Sequence, residues 1–366
     1  MERITADKIR KLTIDKHLSA VYNKLGFCAR EDARQMTIAE IAKLAGTSRG
    51  TVDRVINGRG KVNKELEERI KEIIRENDYE VNGSARALSM SQKKYAVGVV
   101  INSIGNPFFA RVKQGFQDSL KRWENFGLEI FYKEIRGYNE EEQLAAIDEM
   151  AARGVNVLAL TPINTPRIIE KLNSLTLPIV TFNNDLHLDK KFAYVGCNYV
   201  ESGNMCGDLA AMMLSGGEKV AIVTGSLNTL GHRERVERFS SRIAKMHCDI
   251  AIYENNDDDS LSHDIVKKVL CDFSPDLIFF SAGGTTGGLA AVEESGKCVR
   301  VLAVDETKAV VDGMKNGLVA AAVTQQPYEQ GRMAIDLIAQ YLYSRKLPRH
   351  KHNFTKNLVV LPSMLH

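Results

Sequence analysis

Residues 37–57 read Thr37-Ile-Ala-Glu-Ile-Ala-Lys-Leu-Ala-Gly-Thr-Ser-Arg-Gly-Thr-Val-Asp-Arg-Val-Ile-Asn57, a pattern of two short amphipathic helices joined by a tight turn. Thr37 and Glu40 have the spacing of a capping box, so we expect the first helix to begin there. Gly46 allows the turn where a Cβ would be strained, and Ser48 can cap the second helix. The apolar face of the first helix is formed by Ile38, Ile41, Ala42 and Ala45. The stretch therefore predicts a helix-turn-helix, which reads DNA with the N-terminal part of its second helix.

A third helix is expected to complete a small core. Asn63 can cap a helix over Lys64–Asn77. The buried positions of the second and third helices recur at helical spacing: Val52, Val55, Ile56, Leu66, Ile70, Ile73 and Ile74. The residues left facing outward near the start of the second helix are Arg49, Gly50, Asp53 and Arg54. An ordinary helical hairpin in a larger core would also explain the first two helices, but the segment that follows argues against it.

A series of motifs runs in order along this part of the chain: Ala45-Gly-Thr-Ser48, Thr51-Val52, Arg54-Val-Ile-Asn57, Tyr79, Asn82 and Ala85-Arg-Ala-Leu88. With these motifs the chain resembles the LacI/GalR (lactose-repressor) family of bacterial transcription regulators, and the resemblance continues to the C-terminus. It implies a multi-domain fold with an all-α helix-turn-helix headpiece over residues 36–81 and a hinge over 82–94. An α/β two-lobed, doubly wound domain like that of periplasmic binding proteins is expected over 95–366, for ligand binding and dimerisation.

Base recognition is expected from Arg49, Gly50 and Arg54. An arginine can donate two hydrogen bonds to a guanine edge, whereas Gly50 contributes close approach at most. Asp53 has three open roles: it can hold Arg49, accept from a cytosine amino group, or repel phosphate. Phosphate contacts, which position the protein without specifying sequence, are expected from Thr37, Ser48, Thr51, Asn57 and Lys61.

The hinge is a second expected DNA contact. The resemblance implies that Ala85 and Leu88 meet DNA, with Leu88 wedged into the minor groove so that the duplex kinks. Gly83 lowers helix propensity there by roughly 1 kcal/mol. A flexible tether is the alternative interpretation of this segment.

Composition sets the broad class of the protein. A chain of 366 residues suggests two or three domains, and 44% hydrophobic with 26% charged residues is ordinary for a globular protein. Residues 1–94 carry 20 Lys/Arg against 14 Asp/Glu, whereas residues 95–366 carry 29 against 32. A basic head on a slightly acidic body suits a protein that binds a polyanion through its head.

The cellular location and the absence of metal chemistry are further expectations. The first 35 residues are charged throughout and lack the apolar core of a secretory signal, and we find no apolar run of membrane-spanning length, so we expect a cytoplasmic protein without a membrane partner. The six cysteines form no C-x-x-C pair, which favours reduced thiols and disfavours zinc. We predict no cofactor, no metal site and no catalytic residues.

Residues 1–35 precede the resemblance and have two competing interpretations. In the first interpretation, translation starts at Met36, because family members usually begin a few residues before this Thr-Ile, and residues 1–35 are an artefact of the gene model. Alternatively, the stretch is a genuine accessory arm. We slightly favour the artefact.

From Tyr95 onward, short apolar runs alternate with amphipathic segments. The runs are Ala96–Ile101, Leu128–Tyr132, Val155–Leu160, Pro178–Phe182, Val220–Thr224, Leu277–Phe280, Val299–Val304 and Val319–Val323. Continuous apolar strands separated by helices predict parallel sheets covered on both faces. Ligands of such folds bind outside the carboxyl ends of the strands.

The residues that follow these runs match ribose-type sugar-binding lobes. The resemblance implies that Asn106 bonds a ligand hydroxyl while Phe108 and Phe109 pack on the sugar ring. Further matching residues are Asn198, Arg235, Asp305 and Gln325, and Asn183 and Asn184 stand where the family usually has an Asp-Arg pair. A sugar has apolar faces for aromatic rings and a rim of hydroxyls for polar side chains. We therefore predict a site for a small sugar, a polyol or a sugar phosphate.

One departure bears on the ligand. Gly283 and Gly284 replace the usual Asn-Asp pair and leave a glycine-rich turn that opens a helix. Bare N–H groups at a helix N-terminus suit an anion such as a phosphate, whereas the alternative is that the glycines only make room. Both interpretations stay open, with the second favoured.

The predicted function is that of a DNA-binding transcription regulator, in particular a repressor, whose affinity for its operator is controlled by a sugar-like effector. Because one helix reads only a half-site, a homodimer on a pseudo-palindromic operator in double-stranded DNA is expected. The alternative is an α/β enzyme that uses a nucleotide or sugar. However, the order G-G-T-T-G-G over Gly283–Gly288 is not G-x-G-x-x-G, and G-x-x-x-x-G-K-[ST] does not occur. A transport protein would leave residues 36–94 unexplained.

Overall fold

The computed structural model describes residues 37–56, 62–76, 94–103, 105–123 and 126–365. The chain divides into two compact units, Met1–Leu88 and Ser89–His366. The expected N-terminal extension over 1–35 and nearly all of the hinge over 82–94 lie outside the described residues. Among the residues described, no helix has both the length and the apolar character that crossing a bilayer requires.

The head unit contains the three predicted helices. They are α1 (Ile38–Leu44), α2 (Arg49–Ile56) and α3 (Lys64–Glu76). The capping box is confirmed, because the Glu40 amide donates to Thr37 Oγ1 at 3.3 Å and Glu40 Oε2 accepts from the Thr37 amide at 2.7 Å. Gly46 turns the chain with φ +65°, and Asn63 Oδ1 accepts from the Glu65 amide at 3.0 Å. The buried core of the three helices consists of Ile41, Ala42, Ala45, Val52 and Ile70.

The second unit holds two lobes. The first lobe contains β1 (Tyr95–Ile101), α4 (Pro107–Trp123), β2 (Leu128–Glu134), α5 (Glu140–Ala152), β3 (Val157–Leu160), α6 (Pro166–Ser174), β4 (Ile179–Phe182), β5 (Lys191–Cys197), α12 (Pro327–Ser344) and β11 (His352–Thr355). Its sheet has the strand order β2-β1-β3-β4-β5-β11, and every neighbouring pair is parallel. Strands β3 and β4 are buried at every residue, as expected for a sheet with helices on both faces.

The second lobe repeats this arrangement. It contains α7 (Tyr199–Met213), β6 (Lys219–Thr224), α8 (Leu230–Ile243), β7 (Asp249–Glu254), α9 (Asp259–Asp272), β8 (Leu277–Phe280), α10 (Thr285–Ser295), β9 (Arg300–Val304), α11 (Lys308–Lys315), β10 (Ala321–Thr324) and β12 (Leu358–Val360). The strand order is β7-β6-β8-β9-β10-β12, in which only β12 runs antiparallel to its neighbour.

The chain passes between the lobes after β5, after β10 and after β11, and hydrogen bonds join these crossing segments. Asn357 Nδ2 donates to the Asn198 carbonyl oxygen at 3.0 Å, Lys356 N donates to Gln326 Oε1 at 2.9 Å, and Thr355 Oγ1 donates to the Gln325 carbonyl oxygen at 2.9 Å. Hydrogen bonds therefore join the three crossing segments, which form the inter-lobe hinge, a feature distinct from the predicted hinge over 82–94.

Each predicted apolar run overlaps a strand, but sequence did not predict β5, β7, β11 and β12. Strand β5 is wholly buried, yet it begins with Lys191, whose charge is paired with Asp185. Strands β7 and β11 are edge strands with exposed residues. Strand β11 has no apolar run, and that of β7 is only residues 250–253, none of which is fully buried. Burial of both faces gives the strongest sequence signal, and these two strands lack it.

Candidate DNA-binding helix and ligand cleft

Helix α2 presents the residues expected to read bases. Arg49, Gly50 and Arg54 are exposed, Asp53 is half-buried, and Val52 is fully buried on the opposite face. A helix held in this way by its buried face can present its N-terminal side chains to a major groove.

The hydroxyls expected to contact phosphate also cap the helices. Ser48 Oγ accepts from the Thr51 amide at 3.2 Å and lies 2.9 Å from Thr51 Oγ1, while Thr37 caps α1. The first amides of α1 and α2 are thereby fixed in direction, which suits contact with a phosphate. The expected DNA contacts Asn57, Lys61, Ala85 and Leu88 lie outside the described residues.

In the second unit, one carboxylate joins the two lobes. Asp257, just after β7, accepts at Oδ2 from Ser103 Oγ at 2.8 Å and from the Tyr138 hydroxyl at 2.5 Å. Its Oδ1 accepts from the Gly283 amide at 2.8 Å. Because Ser103 and Tyr138 belong to the first lobe, Asp257 bonds the lobes directly to each other.

Other contacts cross the cleft nearby. The Asn164 amide donates to the Asn228 carbonyl oxygen at 2.8 Å, and Arg136 pairs with Asp258 at 3.2 Å. A cavity of about 730 Å³ opens beside these contacts, lined by residues 103, 105, 136–139 and 256–261. The lobes therefore meet at the carboxyl ends of their strands, where a ligand is expected.

Arg235, on α8, does not line this cavity and has 1% of its surface exposed. Its Nε donates to Ser202 Oγ at 3.0 Å, and its Nη1 donates to the Ser281 carbonyl oxygen at 2.7 Å. The guanidinium carbon lies 4.5 Å from the centre of the Tyr199 ring. Hydrogen bonds and an aromatic face thus compensate the loss of water around this charge.

Asp305 and Gln325 form a second polar group beside Arg235. Gln325 Nε2 donates to both carboxylate oxygens of Asp305, at 2.8 and 3.1 Å. Removal from water raises the pKa of Asp305 to about 6, although the positive charge of Arg235 and the Gln325 bond act in the opposite direction. The carboxylate is ionised at neutral pH and can accept further hydrogen bonds.

Asn183 and Asn184 are both buried where β4 ends. Asn183 has φ +60°, and the Tyr194 hydroxyl lies 2.8 Å from its carbonyl oxygen. Asn184 Nδ2 donates to Asn183 Oδ1 at 3.3 Å, but Asn184 Oδ1 has no hydrogen-bond partner among the described residues. A buried acceptor of this kind is costly unless something donates to it.

The remaining predicted ligand residues have structural contacts of their own. Asn106 Oδ1 accepts from the Phe108 amide at 3.0 Å, and Asn198 Oδ1 accepts from the Glu201 amide at 3.1 Å, so both side chains cap helices. Phe108 and Phe109 are buried in the core of the first lobe, with ring centres 5.2 Å apart in an edge-to-face contact. Their sugar-stacking role stays a prediction.

Sequence reasoning missed several residues of this cleft. Tyr138, Tyr199, His232 and Asp257 were not predicted from the sequence. Burial lowers the pKa of His232 to about 4; its Nδ1 accepts from the Ser226 amide at 3.2 Å, and its ring lies edge-on to Tyr138 with 5.9 Å between centres. Asp257 follows an edge strand that the apolar pattern did not reveal, which is why it was overlooked.

Comparison with known proteins identifies both units. The model described as "Bacterial regulatory proteins, lacI family" matches residues 37–82, and the model "Periplasmic binding protein domain" matches residues 97–346. The chain belongs to the LacI family of bacterial regulatory proteins. Its second unit has the periplasmic-binding-protein fold, as the sequence predicted.

Several relatives of this LacI-family protein have curated names. The ribose operon repressor of Lactococcus lactis is 32% identical over 212 residues, covering 57% of this chain and 59% of the repressor. Catabolite control protein A of Priestia megaterium is 23% identical over 338 residues, covering 89% of this chain and 96% of that protein. The ribose import binding protein RbsB of Bacillus subtilis is 25% identical over 267 residues, covering 71% of this chain and 86% of that protein.

Solved structures support the fold of the second unit. GanP, a glucose-galactose binding protein from Geobacillus stearothermophilus, superposes with a TM-score of 0.68 at 22% identity, covering 75% of this chain and 99% of its own. A solute binding protein from Bacillus halodurans with bound myo-inositol has a TM-score of 0.67 at 19% identity, covering 74% and 96%. At this identity the likeness concerns the fold alone.

The glycine-rich turn of this LacI-family protein is tightly packed. A Cβ on Gly283 would lie 2.6 Å from Asn106 Nδ2 and 2.9 Å from the Asp257 Cβ. Gly284 has φ +78°, and a Cβ there would collide with the Asn255 side chain. Of the two interpretations of these glycines, the geometry therefore favours making room.

We expect Arg54→Ala to reduce discrimination between operator and random DNA without abolishing it, because Arg49 still reads bases. The affinity for the operator should fall relative to that for random DNA by about 1 to 3 kcal/mol, the contribution of a bidentate arginine–guanine contact. A gel-shift titration with both DNAs at one salt concentration measures this. Arg69→Ala, an exposed arginine of α3, is the charge-matched control. Equal loss of affinity for both DNAs would show that Arg54 contacts only phosphate.

We expect acid to destabilise the protein through His232. Its pKa is about 4 in the folded state against 6.5 when exposed, so this contribution to stability is present above pH 6.5 and is lost as the pH falls towards 4. Relative to His232→Asn, the wild type should lose up to about 1.4 kcal/mol per pH unit in that window. Chemical unfolding at several pH values measures the difference. His263, whose pKa is raised by Glu294, provides the control His263→Asn, which should not reproduce this loss.

Proposed function

We propose that this protein is a transcriptional repressor that binds a pseudo-palindromic operator as a homodimer, and that a small sugar or polyol in the cleft changes its affinity for that operator. The observation that carries the proposal is the presence in one chain of a capped, exposed DNA-reading helix and a polar cleft between two sugar-binding-type lobes. The named ribose operon repressor of Lactococcus lactis supports the same combination. The site of action is the cytoplasm, where the DNA is.

The DNA-binding half of the proposal rests on α2. Arg49 and Arg54 are the proposed base-reading residues, Gly50 allows close approach, and Thr37, Ser48 and Thr51 position the helices on phosphates. The proposed domains are 36–81 for the head, 82–94 for the hinge, and 95–366 for the sensor.

Dimerisation follows from the size of the DNA site. One recognition helix covers a few base pairs, whereas two helices related by a dyad cover a pseudo-palindrome. Tyr132 on edge strand β2 is 37% exposed and Ile252 on edge strand β7 is 44% exposed. Exposed apolar side chains on edge strands suit pairing with a second copy.

The effector-binding half rests on the chemistry of the cleft. Asp305 can accept from hydroxyls, Arg235 can donate, and the buried oxygen of Asn184 lacks a donor that a hydroxyl would supply. With Asn106, Asn183, Asn198, Gln325 and the Phe108–Phe109 pair, these side chains match a polyol with an apolar face. The proposed role of the cleft is to bind this ligand, not to transform it.

The inter-lobe hinge connects the cleft to a change in the arrangement of the lobes. Gln325 bonds Asp305 through its side chain, and its carbonyl oxygen accepts from Thr355 at the neighbouring crossing. An effector that bonds Asp305 therefore acts on Gln325, a residue of the inter-lobe hinge. If the effector and the operator favour different arrangements of the lobes, the effector changes operator affinity, and the operator changes effector affinity by the same coupling free energy.

The operator half is tested by selecting bound sequences from random double-stranded DNA with the full chain. We expect enriched sequences to contain two half-sites related by a dyad, because each subunit of a dimer reads one of them. Sedimentation of the protein–DNA complex then gives two chains per site. Enrichment of a lone half-site with one chain bound would contradict the dimer, and no enrichment would contradict specific DNA binding.

The effector half is tested by measuring affinity for the selected operator with D-ribose, D-galactose and myo-inositol present. We expect at least one of them to change operator affinity, and Asp305→Asn to weaken its binding about tenfold or more, since a charged acceptor bonds a hydroxyl more strongly than a neutral one. Asp312→Asn on the surface of α11 is the matched control. The proposal fails if no sugar or polyol changes operator affinity, and the role of Asp305 fails if its variant responds as the wild type does.

A further inference from the structure

The N-terminus of α10 faces the cleft and is already bonded to carboxylates of this chain. The Gly283 amide donates to Asp257 Oδ1 at 2.8 Å, and the Gly287 amide donates to Asp259 Oδ1 at 3.2 Å. Free amides at a helix N-terminus would attract a phosphate. Here the acceptors are internal, so this end of the helix presents negative charge to a ligand.

We propose that Asp257 is a specificity residue of the effector cleft: its carboxylate occupies the N-terminus of α10 and bonds the opposite lobe, so that the cleft accepts an uncharged sugar or polyol and rejects its phosphate ester. This inference rests on the proposed sugar response. It decides between the effector classes that the sequence left open.

Charge supports the exclusion of phosphate. Asp257, Asp258 and Asp259 are consecutive and line the same cavity. Arg136 also lines it, but its guanidinium pairs with Asp258 at 3.2 Å. Arg235 donates to the Ser281 carbonyl oxygen and lowers the pKa of Asp305, so its charge is already compensated by groups of the protein. A phosphate beside Asp257 would therefore meet like charges at short range, which is unfavourable.

Space supports the same conclusion. A Cβ on Gly283 would already lie within 3 Å of Asn106 Nδ2 and of the Asp257 side chain. A tetrahedral phosphate is much larger than a methyl group, so it cannot enter unless Asp257 moves away from the Gly283 amide.

The bonds of Asp257 to the first lobe resemble those that a polyol would make. Ser103 and Tyr138 each donate a hydroxyl hydrogen to Oδ2. Burial and the adjacent carboxylate raise the pKa of Tyr138 well above its usual value, so its hydroxyl stays a donor. A ligand hydroxyl can exchange with these donors without a change in charge, whereas a phosphate cannot.

Two substitutions separate charge from volume. Asp257→Asn removes the charge and keeps the shape, and Asp257→Gly also removes the side chain at a position whose φ of +56° suits glycine. Asp264→Asn on α9 is the matched control, because its side chain is 81% exposed and does not line the cavity, whereas Asp258→Asn would free Arg136 to attract a phosphate.

The experiment is calorimetric titration of the full-length wild type and variants with inorganic phosphate, D-ribose 5-phosphate and D-ribose at constant ionic strength. We expect no saturable binding of inorganic phosphate or the ester to the wild type or to Asp264→Asn. Asp257→Asn should show saturable binding of both phosphates, at least about tenfold tighter than the lower limit on Kd that the wild-type titration sets, since one like charge is removed from a helix N-terminus. Asp257→Gly should bind them still more tightly.

Two results would overturn the proposal. One is saturable binding of inorganic phosphate or the ester to the wild type in the cleft, located by loss of that binding in Gly283→Ala. The other is phosphate binding by the Asp257 variants that is no tighter than that of Asp264→Asn. Inorganic phosphate probes Asp257 whichever sugar is the effector. If no sugar changes operator affinity, the proposed function fails, while the phosphate titration still decides the role of Asp257.

Discussion

The sensor unit depends on one constraint, the burial of parallel strands on both faces. Such strands must all present their carboxyl ends at one edge of the sheet, and the loops that leave this edge carry whatever polar groups the protein uses. In both lobes these edges meet at the cleft. Asp257, Asp305 and Asn183 come from different strands but reach the same region for this reason.

The cleft is polar and yet largely removed from water, so its charges are stable only with partners. Arg235 is almost fully buried and is compensated by Ser202, Ser281 and the Tyr199 ring. Its field also keeps the neighbouring carboxylate of Asp305 ionised at neutral pH. Asp305 connects to the crossing segments through Gln325, so the network that stabilises the buried charges is also part of the inter-lobe hinge.

Sequence predicted the parts of the fold that have a strong local signal. The capping box of Thr37 and Glu40, the turn at Gly46 and the strands buried on both faces are confirmed. The edge strand β7 was missed although residues 250–253 form a short apolar run; none of its residues is fully buried. Asp257 was missed with it, since a residue is recognised as following a strand only when the strand itself is recognised.

The sequence by itself determined that this is a LacI-family protein with a DNA-reading head and a two-lobed sensor, because motif order and hydrophobic pattern are local properties of the chain. Only the tertiary structure decided what Gly283 and Asp257 do. A glycine turn at a helix N-terminus is open to anions in one setting and filled in another. Whether this turn is open or filled depends on side chains distant in sequence. Packing brings Tyr138 within hydrogen-bond distance of Asp257, and Asn106 against Gly283.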